Sequence, residues 1–180
     1  MRDIEGFEAA VKKLGKQWPE IEKHFNEENE RYKQLFSQDH DRVGRILKCH
    51  LLVEHYLDKF IAHEKKIDNL QSVRLSFYQK AQLIPTEGVS ASVVRPGILE
   101  LNTIRNKFSH NLYATIETRD IQAMRQLLEV ARLNIIWENP VRQIEAFTTV
   151  TCTWLLITPP ELEEVFKQAF EKVIVRSEEY

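Results

Sequence analysis

The chain is poor in the residues that interrupt regular structure. It has 5 glycines and 6 prolines in 180 residues, which excludes collagen-like and low-complexity architectures and leaves little room for linkers. It has two cysteines, Cys49 and Cys152, far apart and without metal-ligand spacing. A disulfide scaffold is therefore not expected. Each cysteine sits among apolar residues, so two free thiols in a reducing cytoplasm are. Long apolar runs are also missing. The most apolar stretch, 147–157, is too short to span a bilayer and rich in threonine, and no membrane contact is expected. The first residues, MRDIEGFEAAVKK, are acidic and amphipathic and do not read as a signal peptide. There is no excess of positive charge: 25 Lys and Arg face 27 Asp and Glu, for a net charge of -2. Any phosphate-binding charge must be local. A Gly-rich phosphate loop, a nucleophile elbow, a CxxC pair and a helix-turn-helix are all absent, and nothing in the sequence calls for a metal or another cofactor.

What is present is helical periodicity almost from end to end. Apolar residues recur at helical spacing over 3–16 and, as a thin stripe on a charged helix, over 19–36. The longest pattern runs over 39–66, where Val43, Ile46, Leu47, His50, Val53, Tyr56, Leu57, Phe60 and Ile61 share a stripe. A shorter helix is expected over 69–83. Residues 84–97 hold two prolines and two glycines and form the clear loop, with room for one helical turn. Further helices are expected over 98–113 and 120–138. Segment 141–157 is rich in β-branched residues, yet no second strand is available to pair with it, so a helix is expected. Thr158 should cap a last helix that begins at the prolines. The expected fold is all-α: one single-domain bundle of about six to eight helices, with N-terminal helices over 1–38, a core over 39–138 and a mostly helical C-terminal extension over 139–180.

The stretch 98–113, ILELNTIRNKFSHNLY, has two unlike sides. Leu101, Ile104, Phe108 and Leu112 gather on one. Asn102, Arg105, Asn106, Ser109, His110 and Tyr113 gather on the other. A solvated helix face usually carries Lys and Glu. This one carries short or planar hydrogen-bonding groups, which suit a surface that meets something. The spacing Arg105-x4-His110 decides nothing by itself. About a dozen arginines and six histidines produce it roughly 0.4 times by chance, and Arg45 and His50 repeat it. Context separates the two pairs, because His50 falls on the apolar stripe of its helix and reads as a core residue. Five residues on a helix mean about 7.5 Å of rise and about 140° of rotation. Arg105 and His110 therefore flank Asn106, and a second copy of the helix would supply the missing half of a site.

The segment LNTIRNKFSHNL resembles the signature of the HEPN superfamily (higher eukaryotes and prokaryotes nucleotide-binding), whose motif is an arginine followed four to six residues later by a histidine, often with a polar residue after the arginine. Arg105, Asn106 and His110 match it. HLLVEHYLDKFI resembles the long apolar helix bearing an acidic residue that precedes this motif. SVRLSFYQKAQLI, a glycine-containing loop and then ILELNTIRNKFSH follow the order of elements in the mannitol-operon-repressor-like branch. The resemblance covers 39–138.

The resemblance implies a metal-independent endoribonuclease of the toxin or defence type that works as a homodimer through the helix carrying Arg105 and His110. RNA is the implied substrate. Arg105 and His110 would be catalytic. Asn106, Ser109 and Tyr113 would bind substrate. An imidazole such as that of His110 suits proton transfer, and Arg105 offers a planar fork to a phosphorane-like transition state. The branch also implies an alternative, a non-catalytic dimeric regulatory or interaction module with a protein partner such as an antitoxin or a regulator. Arg95, Lys107 and Arg74 are candidates for local positive charge.

Overall fold

The computed structural model describes residues 14–36, 40–111, 113–131 and 139–175. Among them are seven α-helices and no strand, as the periodicity predicts. The helix expected over 3–16 falls almost wholly outside the described residues. The chain divides into two compact units, Met1–His40 and Asp41–Tyr180.

In the first unit, helix α1 (Trp18–Phe36) starts where Pro19 occupies its first turn. Its described side chains are mostly exposed, with an ion pair between Lys23 and Glu27 at 4.0 Å.

The second unit is built on α2 (His40–Lys65) and α4 (Arg95–His110). Ile46, Val53, Leu57 and Ile61 of α2 and Ile98, Leu101 and Ile104 of α4 are buried in one core. Val43 and Leu47, expected on the buried stripe of α2, are instead exposed, as is Leu51. The helix expected over 69–83 is shorter than its periodicity. Leu70–Val73 forms a 3-10 turn, Arg74 adopts φ 51° and breaks the run, and α3 (Phe77–Gln82) begins afresh. Ser76 caps α3 in a capping box, accepting from the Gln79 backbone N–H at 3.3 Å while the Ser76 N–H donates to Gln79 Oε1 at 2.9 Å. The loop holds the expected helical turn, a 3-10 segment at Ser90–Val94.

Three further helices complete this unit. A 3-10 turn at Thr118–Ile121 leads into α5 (Gln122–Ala131). Helix α4 fixes the start of α5: Glu100 accepts the Ala123 and Met124 N–H groups at 2.8 and 3.0 Å, capping orphan donors from a neighbouring helix. Segment 141–157 is helical, as α6 (Pro140–Trp154), with Asn139 accepting from the Val141 N–H at 2.9 Å. Helix α6 contributes Ile144 and Phe147 to the core. Gly97 lets α4 approach it, since a Cβ there would collide with the Phe147 ring. Thr158 does not cap the last helix. Pro159 holds ψ at 144° and a 3-10 turn occupies Pro160–Leu162 before α7 (Glu163–Phe170) starts. A residue followed by proline is pushed out of the α region, which delays the start. Trp154 packs edge-on against Phe170, with ring centroids 5.4 Å apart. Past α7, the Gly88 N–H donates to Val173 O and the Val175 N–H to Thr86 O, tying the 173–175 segment to the loop.

Candidate functional site

Helix α4 turns its hydrophobic side inward and leaves Asn102, Arg105 and Asn106 half-buried. Ser109 and His110 are exposed at its end, where His110 is the last helical residue. Arg105, Asn106 and His110 thus lie on the same helix, as expected.

Tyr113 does not share that face. Helix α4 stops three residues short of the expected end, because Asn111 takes an extended conformation. Its side-chain Oδ1 accepts from the Tyr113 N–H at 2.9 Å. This Asx turn offers the backbone a partner that competes with another helical turn. Tyr113 is left on the turn, 67% exposed. Leu112 lies outside the described residues.

The Arg105 guanidinium is held from its own helix. Its Nη1 donates to Asn106 Oδ1 at 3.0 Å. The amide group of Asn106 thus positions Arg105, and its nitrogen donates to no other described residue. Ser109 Oγ donates back to the Arg105 carbonyl at 2.9 Å, so its proton is already engaged. Arg105 pairs with no carboxylate among the described residues, and its buried Nε has no hydrogen-bond partner there. Several other cations of this unit pair with carboxylates. Arg45 donates through Nε and Nη2 to the two carboxylate oxygens of Glu145, both at 2.7 Å. Lys107 donates to Asp120 Oδ2 at 2.9 Å. Arg95 is 8% exposed and donates to Gln82. Arg74 is exposed on the turn before α3. Of the local cations expected to help Arg105, Lys107 is thus paired and Arg95 buried.

Helix α2 carries a buried polar group that sequence reasoning assigned only to the core. His50 is 3% exposed. Its ring stacks on Phe77 of α3, with centroids 3.9 Å apart and planes at 29°. Neither ring nitrogen has a hydrogen-bond partner among the described residues. The nearest carboxylate oxygen, Glu54 Oε2, is 4.0 Å from Nδ1. The other Glu54 oxygen accepts from Lys80 at 2.8 Å, and Lys80 lies 2.7 Å from Asp58. Burial pushes the imidazole below its usual value. Glu54 opposes that, and the charges of Arg105 and Lys80 reinforce it. Burial thus disfavours an ion pair between His50 and Glu54. One signal of this cluster was readable: His50, Glu54 and Asp58 recur every four residues of α2. The part played by α3 was not.

The two cysteines are free, Cys49 buried and Cys152 half-buried, and burial raises both thiols. Among the described residues no three His, Cys, Asp or Glu side chains gather as ligands for a metal ion, and no helix is long and apolar enough to cross a membrane. Comparison with protein-family models, curated proteins and solved structures found no match.

Proposed function

We propose that the chain is a HEPN-like endoribonuclease that cuts RNA by attack of the neighbouring 2′-OH, and that it acts as a cytoplasmic homodimer joined through α4. The observation that carries this reading is the state of Arg105: a half-buried guanidinium fixed by Asn106, without a carboxylate among the described residues, on the helix that ends in an exposed His110. Leaving a cation unneutralised beside a protein core is costly, and an anionic ligand offsets the cost. A phosphodiester supplies that anion, and the guanidinium fork matches two of its oxygens.

The residue roles follow from the chemistry. The 2′-oxygen attacks phosphorus, the P–O5′ bond breaks, and a 2′,3′-cyclic phosphate and a 5′-hydroxyl result. One proton leaves the 2′-OH and one reaches the 5′-oxygen, and His110 handles one of them. Arg105 stabilises charge gathering on the non-bridging oxygens. Ser109 and Tyr113 contact the RNA. The splay of Arg105 and His110 by about 140° on one helix favours a site completed by the partner chain. Two free thiols suit a reducing compartment.

The test is incubation with mixed RNA in EDTA, followed by analysis of the new ends. Cyclic phosphates are expected from the wild type, with a loss of about 10²–10⁴-fold in His110→Ala. Uncut RNA, or equal cutting by both proteins, refutes the reading.

A second reading, a dimeric regulatory module that binds an antitoxin or regulator and cuts nothing, is favoured by one observation. Val43, Leu47 and Leu51 lie exposed at four-residue spacing along α2, an apolar stripe suited to a protein partner. The same assay separates the two.

A further inference from the structure

We propose that Arg95 is the cation of a second anion site, which takes a phosphate group at the start of α4. The site is separate from that of Arg105 and does not depend on its reading. Two penalties fall on the Arg95 side chain. The first is burial. Arg95 is 8% exposed, and an ionised group taken out of water is normally paired. No carboxylate pairs with it among the described residues. The one hydrogen bond of its guanidinium there runs from Nη2 to Gln82 Oε1, a neutral acceptor, and its buried Nε has no partner.

The second penalty is position. Arg95 is the first residue of a 16-residue helix. The aligned peptide dipoles make that end positive, which disfavours a cation and favours an anion. The first turn of α4 has no acidic residue to offset this. Cα–Cβ bonds tilt toward a helix N-terminus, and the Arg95 guanidinium reaches back to Gln82, the last residue of α3. Gln82 is exposed, so an anion reaches the guanidinium by displacing its amide. A phosphate relieves both penalties. It brings the missing negative charge, and two of its oxygens match the guanidinium fork. Ten residues of helix, about 15 Å of rise, separate Arg95 from Arg105, so one phosphate cannot serve both.

The experiment uses the full chain carrying Arg105→Gln, which removes the other candidate phosphate site. Thermal melts compare sodium phosphate with sodium chloride at equal ionic strength. A parallel series adds a short 2′-O-methyl RNA, which has no nucleophile and is not cut. Gln82→Glu is the deciding variant, because it sets a carboxylate against Arg95 and fills the site from within the chain. The melting temperature of the parent should rise saturably with phosphate, as for a ligand that binds only the folded chain. That rise should disappear in Gln82→Glu. Arg95→Gln should weaken phosphate binding about tenfold or more, as for loss of a hydrogen bond to a charged group. If Arg95→Gln does not fold, the Gln82→Glu comparison still decides. A Gln82→Glu-sensitive rise with the RNA supports the site and assigns its phosphate to an RNA backbone. Such a rise with the free ion alone supports it and assigns inorganic phosphate. No rise with either ligand, or a rise unchanged by Gln82→Glu, overturns the proposal and leaves the ribonuclease reading standing.

Discussion

The chain carries the same spacing twice, and the two copies live in opposite surroundings. Arg45 and His50 lie on α2, and Arg105 and His110 on α4. Arg45 is clamped by both oxygens of Glu145, with Asp41 a further 3.5 Å contact. Among the described residues, the Arg105 guanidinium has only the side-chain amide oxygen of Asn106. His50 is buried and His110 exposed. The first arginine ties two helices together, and the second has no carboxylate partner among the described residues. Residue type and spacing do not separate them. What separates them is the presence of a carboxylate on the neighbouring helix.

The largest expected effect sharpens the α4 half of this comparison. If Arg105 of one chain works with His110 of its partner, the two single mutants complement each other. Arg105→Ala and His110→Ala are each inactive alone. Mixed in equal amounts and allowed to exchange, half of the dimers are hybrids with one intact site in two, so about a quarter of wild-type cleavage returns. A mixture as inactive as its parts places both residues of a site in one chain.

The next effect concerns the α2 histidine and needs no RNA. The folded-state pKa of His50 is lowered, chiefly by burial. As pH falls below the ordinary value of 6.5, the unfolded chain takes a proton that the folded chain resists, so stability falls with pH. The loss stops growing once pH passes below the folded value. Thermal melts between pH 7.5 and 5 should show a smaller acid-side drop in His50→Phe than in the wild type. Parallel curves for the two proteins would show that His50 does not titrate as its surroundings require.

The smallest effect is expected at the clamped arginine. The hydrogen bond from Arg45 holds the Glu145 carboxyl below its usual range. This stabilisation is present above the ordinary carboxylate value of 4.5 and is lost as pH falls through the lower, folded-state value. Both side chains are partly solvated, so the gain is modest. Glu145→Gln should lower the melting temperature slightly at pH 7 and leave it unchanged in strong acid. A drop of the same size at both pH values would assign the loss to packing instead.

Much of the fold was legible because it is written in local period. Helices α2, α4 and α6 follow from apolar spacing, and even the threonine- and valine-rich run 147–150 is helical, with no strand among the described residues to pair with it. The failures have local causes too. Arg74 in the left-handed region and the Ser76 cap divide one apparent helix into two short elements. Asn111 ends α4 before Tyr113 by bonding its own backbone. The candidate site was legible only in part. Arg105, Asn106 and His110 share a helix face that the sequence announces. The pairing of Lys107 with Asp120 and of Lys80 with Glu54 and Asp58 depends on which helices meet, and periodicity carries no such information.

The most direct test of the contrast between the two arginines is cleavage of RNA in EDTA by Arg105→Ala and Arg45→Ala, side by side, with folding of both verified by thermal melts. Arg105→Ala should lose about 10²–10³-fold, as expected for removal of a transition-state charge stabiliser, while Arg45→Ala keeps wild-type cleavage. Equal loss in the two variants, or activity retained by Arg105→Ala, would contradict the account.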